Sequence, residues 1–117
     1  MPNPAVAALL TIDIEQKVGV ALVRCHGKLI ACVCEQLYAK VCPLIPDNKR
    51  IVLDLGDVNQ MDSMGLGTLV RLYVSCKSGG TSLELLHVGK RIRELLGITH
   101  LLNVFTIIGE SGIKLGF

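Results

Sequence analysis

An α/β domain is the fold class this sequence predicts, and three features carry that expectation. Half of its 117 residues are hydrophobic but only 3% are aromatic, so the core has to be built from Leu, Ile and Val, the side chains that a covered sheet selects. The most strand-like run, Arg50-Ile51-Val52-Leu53-Asp54-Leu55-Gly56, is short, branched and closed by a glycine. Segments of period two alternate with segments of helical period over short distances, which implies crossover connections and helices lying on the sheet. The length suits one domain that buries a core without staples. Residues 1–117 therefore read as a single domain, with no repeat, low-complexity tract or linker.

In chain order, residues 10–16 alternate apolar with polar like an outer strand, and Gly19 breaks the chain before a second strand over residues 20–25 that ends near His26-Gly27. The period then changes. Val33, Leu37, Val41 and Leu44 recur at helical spacing across residues 31–44, and Pro43 and Pro46 close that helix. After the strand at 50–56, Leu66, Leu69, Val70, Tyr73 and Val74 define one apolar face of a second helix, which Gly79-Gly80 stops. Residues 82–88 supply a further strand. Ile92, Leu95 and Leu96 make a short helix ended by Gly97, with Ile98, Leu101, Leu102 and Val104 continuing the apolar cover, and residues 105–108 form a terminal strand.

Composition removes several function classes. The net charge is +2, and the densest basic cluster is Lys90-Arg91-Arg93 with Glu94 beside it. Phosphate neutralisation calls for a stronger basic stripe and base stacking for more aromatics, so direct nucleic-acid binding is not expected. The longest uncharged stretches, residues 2–12 and 101–109, fall short of the ~20 residues a membrane crossing requires. Without a basic leader at the N-terminus, the expectation is a cytoplasmic protein with no membrane insertion. The five cysteines, Cys25, Cys32, Cys34, Cys42 and Cys76, lack zinc or Cys-x-x-Cys spacing and read as small buried hydrophobes in a reducing compartment. No metal and no cofactor is expected.

One stretch stands out from this background, Asn59-Gln60-Met61-Asp62-Ser63-Met64-Gly65-Leu66-Gly67-Thr68-Leu69-Val70. Asp62 and Ser63 precede a helical period, and both residue types cap helices by accepting bonds from the first free N–H groups. At least one of the two is read as such a cap, Ser63 in particular, with Met61 as a staple onto the first turn. Capping does not account for Gly65 and Gly67, each of which costs ~1 kcal/mol relative to alanine inside a helix. Either the helix packs tightly on its own sheet there, or the glycines leave a smooth surface for a partner. The loop follows the best strand of the chain, and in open α/β sheets ligands gather at the carboxyl ends of strands. A phosphate on Ser63 would be tolerated by the helix N-terminus, whereas a partner docked on the spot would have to bury or repel its charge.

A catalytic reading finds little support. His26, His87 and His100 are available as bases, but none has motif spacing to Ser63, and Gly-x-Ser-x-Gly is absent. No catalytic residue is assigned, and the chain is not expected to be an enzyme.

The run Ile51-Val52-Leu53-Asp54-Leu55-Gly56-Asp57-Val58 followed by Met61-Asp62-Ser63-Met64-Gly65-Leu66-Gly67-Thr68-Leu69 resembles the signature of the STAS domain family, specifically its free-standing bacterial anti-sigma factor antagonists. Residues 23–29 with Gly27 resemble the second strand and its turn, and Leu95-Leu96-Gly97-Ile98 with Val104-Phe105-Thr106-Ile107 resembles the last helix and strand. The resemblance implies a small STAS-like α/β domain with a central four- to five-stranded mixed sheet and about three to four helices. It also implies partner switching. The unmodified protein binds an anti-sigma factor that is a serine kinase and so frees a sigma factor; phosphorylation of the motif serine, here Ser63, breaks the complex, and a serine phosphatase resets it. Asp62 then holds the turn, and Ser63, Met64, Gly65, Leu66 and Gly67 face the partner.

Two departures accompany the resemblance. Lys28 and Ile30 stand in Gly27-Lys28-Leu29-Ile30 where the family carries an acidic pair, which removes a carboxylate near the serine and reverses a charge on the docking face. Met64 replaces a small residue after the serine. These departures favour an alternative in which the domain is a non-switching STAS scaffold subunit of a stress-signalling assembly or of a transporter complex. A homodimer is compatible with either.

Overall fold

The computed structural model describes residues 9–108. Nine elements follow one another: β1 (Leu10–Lys17), β2 (Val20–Leu29), α1 (Cys34–Val41), a 3-10 segment (Cys42–Asp47), β3 (Arg50–Met61), α2 (Ser63–Ser78), β4 (Ser82–Leu86), α3 (Lys90–Ile98) and β5 (Thr106–Ile108). The strands form one sheet in the order β1-β2-β3-β4-β5. β1 runs antiparallel to β2 and every other neighbouring pair is parallel. Among the described residues, a five-stranded mixed sheet with three α-helices agrees with the expected architecture.

Alternation along each strand sends one set of side chains to the helices and the other to the opposite face. Ala21, Val23 and Cys25 of β2, Ile51, Leu53 and Leu55 of β3, and Leu83 and Leu85 of β4 share a core with Leu37 and Val41 of α1, Leu69, Leu72 and Cys76 of α2, and Ile92 and Leu96 of α3. On the other face Leu22, Val52 and Leu86 form a smaller cluster. It is bordered by a bidentate pair, Arg50 donating to both carboxylate oxygens of Glu84 at 2.8 Å.

Several boundaries differ from the sequence expectation, each for a local reason. β2 continues through Gly27 to Leu29: Gly27 has φ +111° and lies so close to β1 that a Cβ there would sit 2.2 Å from the Leu9 carbonyl oxygen. That approach lets the Lys28 N–H donate to the same oxygen at 2.8 Å. β3 runs on past Gly56 to Met61, paired with β2 through irregular register near His26 and Lys28. α1 is shorter than residues 31–44 and gives way to the 3-10 segment, where Pro43 and Pro46 cannot donate backbone bonds.

Residue placement also corrects several expectations. Val74 is 56% exposed, and Leu72 and Cys76 take the buried positions on α2. Gly97 lies within α3 rather than after it, and Ile98 and Val104 are exposed while Leu101 and Leu102 pack on the core. All five cysteines are free thiols, but only Cys25, Cys34 and Cys76 are buried; Cys42 is half-buried and Cys32 is exposed, because it stands in the turn before α1. No helix among the described residues is long and apolar enough to cross a membrane.

Candidate functional site

β3 delivers the chain to Asp62 in extended conformation, and α2 starts at Ser63. The helix cap is Asp62, not Ser63. Its carboxylate accepts from the Gly65 N–H at 2.9 Å and from the Ala31 N–H at 3.0 Å. The first bond closes the helix N-terminus; the second ties it to the loop that leaves β2. The Gly65 N–H above all, helped by that of Ala31, holds the Asp62 carboxyl below the usual carboxylate range. A charged carboxylate is thus fixed at the joint between two loops.

With Asp62 occupied in this way, Ser63 has no structural duty. It is exposed, and its hydroxyl makes no hydrogen bond among the described residues. The two glycines that follow have separate explanations. A Cβ on Gly65 would meet the Leu29 carbonyl oxygen at 2.2 Å, so the close approach of α2 to the end of β2 requires a glycine. A Cβ on Gly67 would meet nothing within 4 Å, and Gly67 is exposed. Packing within this domain accounts for the first glycine and leaves the second unaccounted for.

Met64, Gly67 and Thr68 of α2 form one wall of an open groove of about 320 Å³, with Ala31, Cys34 and Glu35 opposite and Arg71 at its end. Thr68 returns its hydroxyl to the Met64 carbonyl at 2.9 Å, so the floor carries no unpaired polar group. Arg71 binds Glu35 at 2.6 Å and lies over the Tyr38 ring at 4.0 Å from its centroid. Its charge is thereby laid down on α1. Met64, Gly67, Arg71 and Val74, at helical spacings of three and four, form an exposed stripe of low relief along α2; Met64 is 58% exposed.

The residues expected to meet a partner separate into three groups. Ser63, Met64 and Gly67 lie together on the surface; Asp62, Lys28 and Ile30 are half-buried; Gly65 and Leu66 are buried and shape the turn from within. Ile30 packs against the core, and its carbonyl accepts from Val33. The sequence reading missed Glu35, Tyr38 and Arg71, whose juxtaposition depends on α1 packing against α2. The histidines lie elsewhere: His26 bridges Asp57 at 2.9 Å and Asp13 at 3.1 Å, and His87 contacts Asp54 at 3.1 Å. No cluster among the described residues has the makings of a metal site.

Comparison with known proteins places the fold. A relative, the anti-sigma-B factor antagonist of Bacillus subtilis (strain 168), is 29% identical over 102 residues, covering 87% of this chain and 94% of its own. Among solved structures, the anti-sigma factor antagonist SpoIIAA in its unphosphorylated form superposes with a TM-score of 0.69 at 17% identity, over 86% of this chain and 90% of that one. A sulfate transporter family protein from Wolinella succinogenes superposes with a TM-score of 0.68 at 22% identity, over 77% and 74% of the respective chains. The family model that describes the STAS domain matches residues 11–112, and the chain belongs to that family.

Proposed function

We propose that this protein is an anti-sigma factor antagonist that works by partner switching. In the cytoplasm it binds an anti-sigma factor serine kinase when unmodified and so regulates transcription dependent on a sigma factor, without touching nucleic acid itself. The kinase transfers the γ-phosphoryl group of ATP to the Ser63 oxygen, with loss of the hydroxyl proton, and the complex separates. A serine phosphatase restores the hydroxyl. Asp62 holds the switch turn, Met64 and Gly67 make the contact surface, Gly65 and Leu66 set its shape, and Lys28 at the end of β2 and Ile30 in the loop bonded to Asp62 flank it.

The observation that carries this reading is the division of labour at the start of α2. Asp62 takes the capping bonds, leaving the neighbouring hydroxyl exposed and unbonded beside an open groove. A phosphate adds about −1.5 to −2 charges. The helix N-terminus accommodates that charge, but a surface packed over Met64 and Gly67 would have to desolvate it. The test is mass spectrometry of the protein recovered from its native cell. Phosphate on Ser63, together with a co-purifying serine kinase in the unmodified fraction only, supports the reading; equal kinase in both fractions contradicts it.

A second reading, a non-switching STAS scaffold in a stress-signalling or transporter assembly, is favoured by Lys28 and Ile30 at the positions of the family's acidic pair. It predicts a chain that carries no phosphate and elutes with a large assembly.

A further inference from the structure

Two thiols stand two residues apart beside the groove between α1 and α2. Cys32 is exposed in the turn over residues 31–33, and Cys34, the first residue of α1, lines the groove. The turn folds the chain back on itself. The Val33 N–H and the Cys34 thiol both donate to the Ile30 carbonyl, each at 3.0 Å, so the Cys34 sulfur rests against the backbone that leads into Cys32. Two residues span at most about 7 Å when fully extended, and a chain that turns spans less. The two Cα atoms therefore fall within the separation of about 4.4–6.8 Å that a disulfide bridges.

The two sulfurs differ in the way that thiol–disulfide exchange uses. Exchange begins at an accessible sulfur and passes through a mixed disulfide, which a second sulfur close by resolves. Cys32 is open to solvent. Burial above all raises the Cys34 thiol from its ordinary value, and the charges of Asp62, Glu35 and Cys32 add to this, which makes it the slower, resolving partner. The remaining thiols do not compete: Cys25 and Cys76 are sealed in the core, and Cys42 is half-buried at the far end of α1. The turn also has a second attachment, the Ala31 N–H that donates to Asp62 at 3.0 Å. A covalent link across Val33 draws the Cys34 sulfur off the Ile30 carbonyl, and the backbone that holds Asp62 has to adjust with it.

We propose that Cys32 and Cys34 form a dithiol site that small disulfides such as glutathione disulfide oxidise, and that the disulfide so formed loosens the turn's hold on Asp62. The Cys32 sulfur, once its proton has left, attacks one sulfur of the small disulfide; that S–S bond breaks and the first small thiol departs. The Cys34 sulfur then attacks Cys32, displaces the second small thiol and closes the Cys32–Cys34 bond. The protein gives up both thiol hydrogens, and the two released thiols carry the matching protons and electrons. Excess small thiol runs the sequence backwards. The site is thus a redox input at the start of α2, and its chemistry stands whether or not Ser63 is a switch.

The test equilibrates the full chain with glutathione disulfide, blocks the remaining thiols and reads tryptic peptides by mass spectrometry. Cleavage after Lys28 and Lys40 releases residues 29–40, which hold Cys32 and Cys34 and no other cysteine. The expected result is that this peptide loses the mass of two hydrogens, that the amide NMR signals of Ala31 and Gly65, both bonded to Asp62, shift in the oxidised protein, and that dithiothreitol restores both. Cys32→Ser, at an exposed position, abolishes the mass loss. Cys34→Ala stops the reaction at glutathione held on Cys32, and melting curves matching the parent confirm folding of both variants. Glutathione retained on Cys32 in the parent, a bridge to another cysteine or to a second copy, or Ala31 and Gly65 signals that stay in place on oxidation would overturn the proposal.

Discussion

Gly65 lies so near Leu29 that a single added methyl group would come within 2.2 Å of the Leu29 carbonyl oxygen. Gly67, half a helical turn further, has open space where its Cβ would be. Packing of the fold thus requires the first glycine of the motif and places no such requirement on the second.

That contrast predicts opposite effects of the same substitution. Gly65→Ala forces α2 away from β2 and destabilises the domain by about 1–3 kcal/mol. Gly67→Ala removes a helix-interior glycine and stabilises by roughly 0.5–1 kcal/mol, while weakening partner binding. Urea denaturation of the two variants checks the signs.

Asp62 makes stability depend on pH in a definite direction. Its carboxyl is held low in the folded state, chiefly by the Gly65 N–H, so the unfolded chain binds the proton first as pH falls. The stabilisation is full above the ordinary carboxylate range, near pH ~4, and is lost as pH drops through the folded value. Glu84, held low by its hydrogen bonds from Arg50, acts in the same direction. Asp62→Asn flattens the loss of stability on acidification, and Asp62→Ala costs about 0.5–2 kcal/mol at neutral pH through the lost cap. Melting temperatures recorded against pH report both.

The two faces of α2 differ in what they tolerate. Leu72 is fully buried, and Leu72→Ala is expected to cost about 2–5 kcal/mol. Val74 is 56% exposed, and Val74→Glu changes stability by no more than ~0.5 kcal/mol. Chemical denaturation distinguishes these outcomes directly.

Thiol chemistry maps the corrected cysteine assignment. Burial, reinforced by Asp54, pushes the Cys25 thiol up to about 12, and burial with Cys42 nearby pushes Cys76 up to about 11. Neither forms thiolate near neutral pH. Iodoacetamide applied to the folded protein labels Cys32 first and leaves Cys25 and Cys76 unmodified until denaturant is added, as peptide mass spectrometry reads out.

Local sequence pattern foretold the strands, the helix after β3 and the position of Ser63 at its start, because period and turn chemistry are local properties. It gave the cap to the wrong neighbour. Asp62 and Ser63 are both good caps, and the choice depends on Ala31, a residue of another loop that gives Asp62 a second bond. Val74 falls on the exposed face for a related reason: apolar identity alone does not show that α2 turns Leu72 and Cys76 to the sheet. The groove between α1 and α2 arises only from how the two helices pack beside one another.

In the proposed switch, charge at Ser63 decides whether the partner stays. Titration calorimetry of the proposed serine-kinase partner, against the unmodified protein and against protein fully phosphorylated at Ser63, tests it. The phosphorylated form is expected to bind about a hundredfold more weakly, or weaker still. Equal affinity for both forms would contradict it.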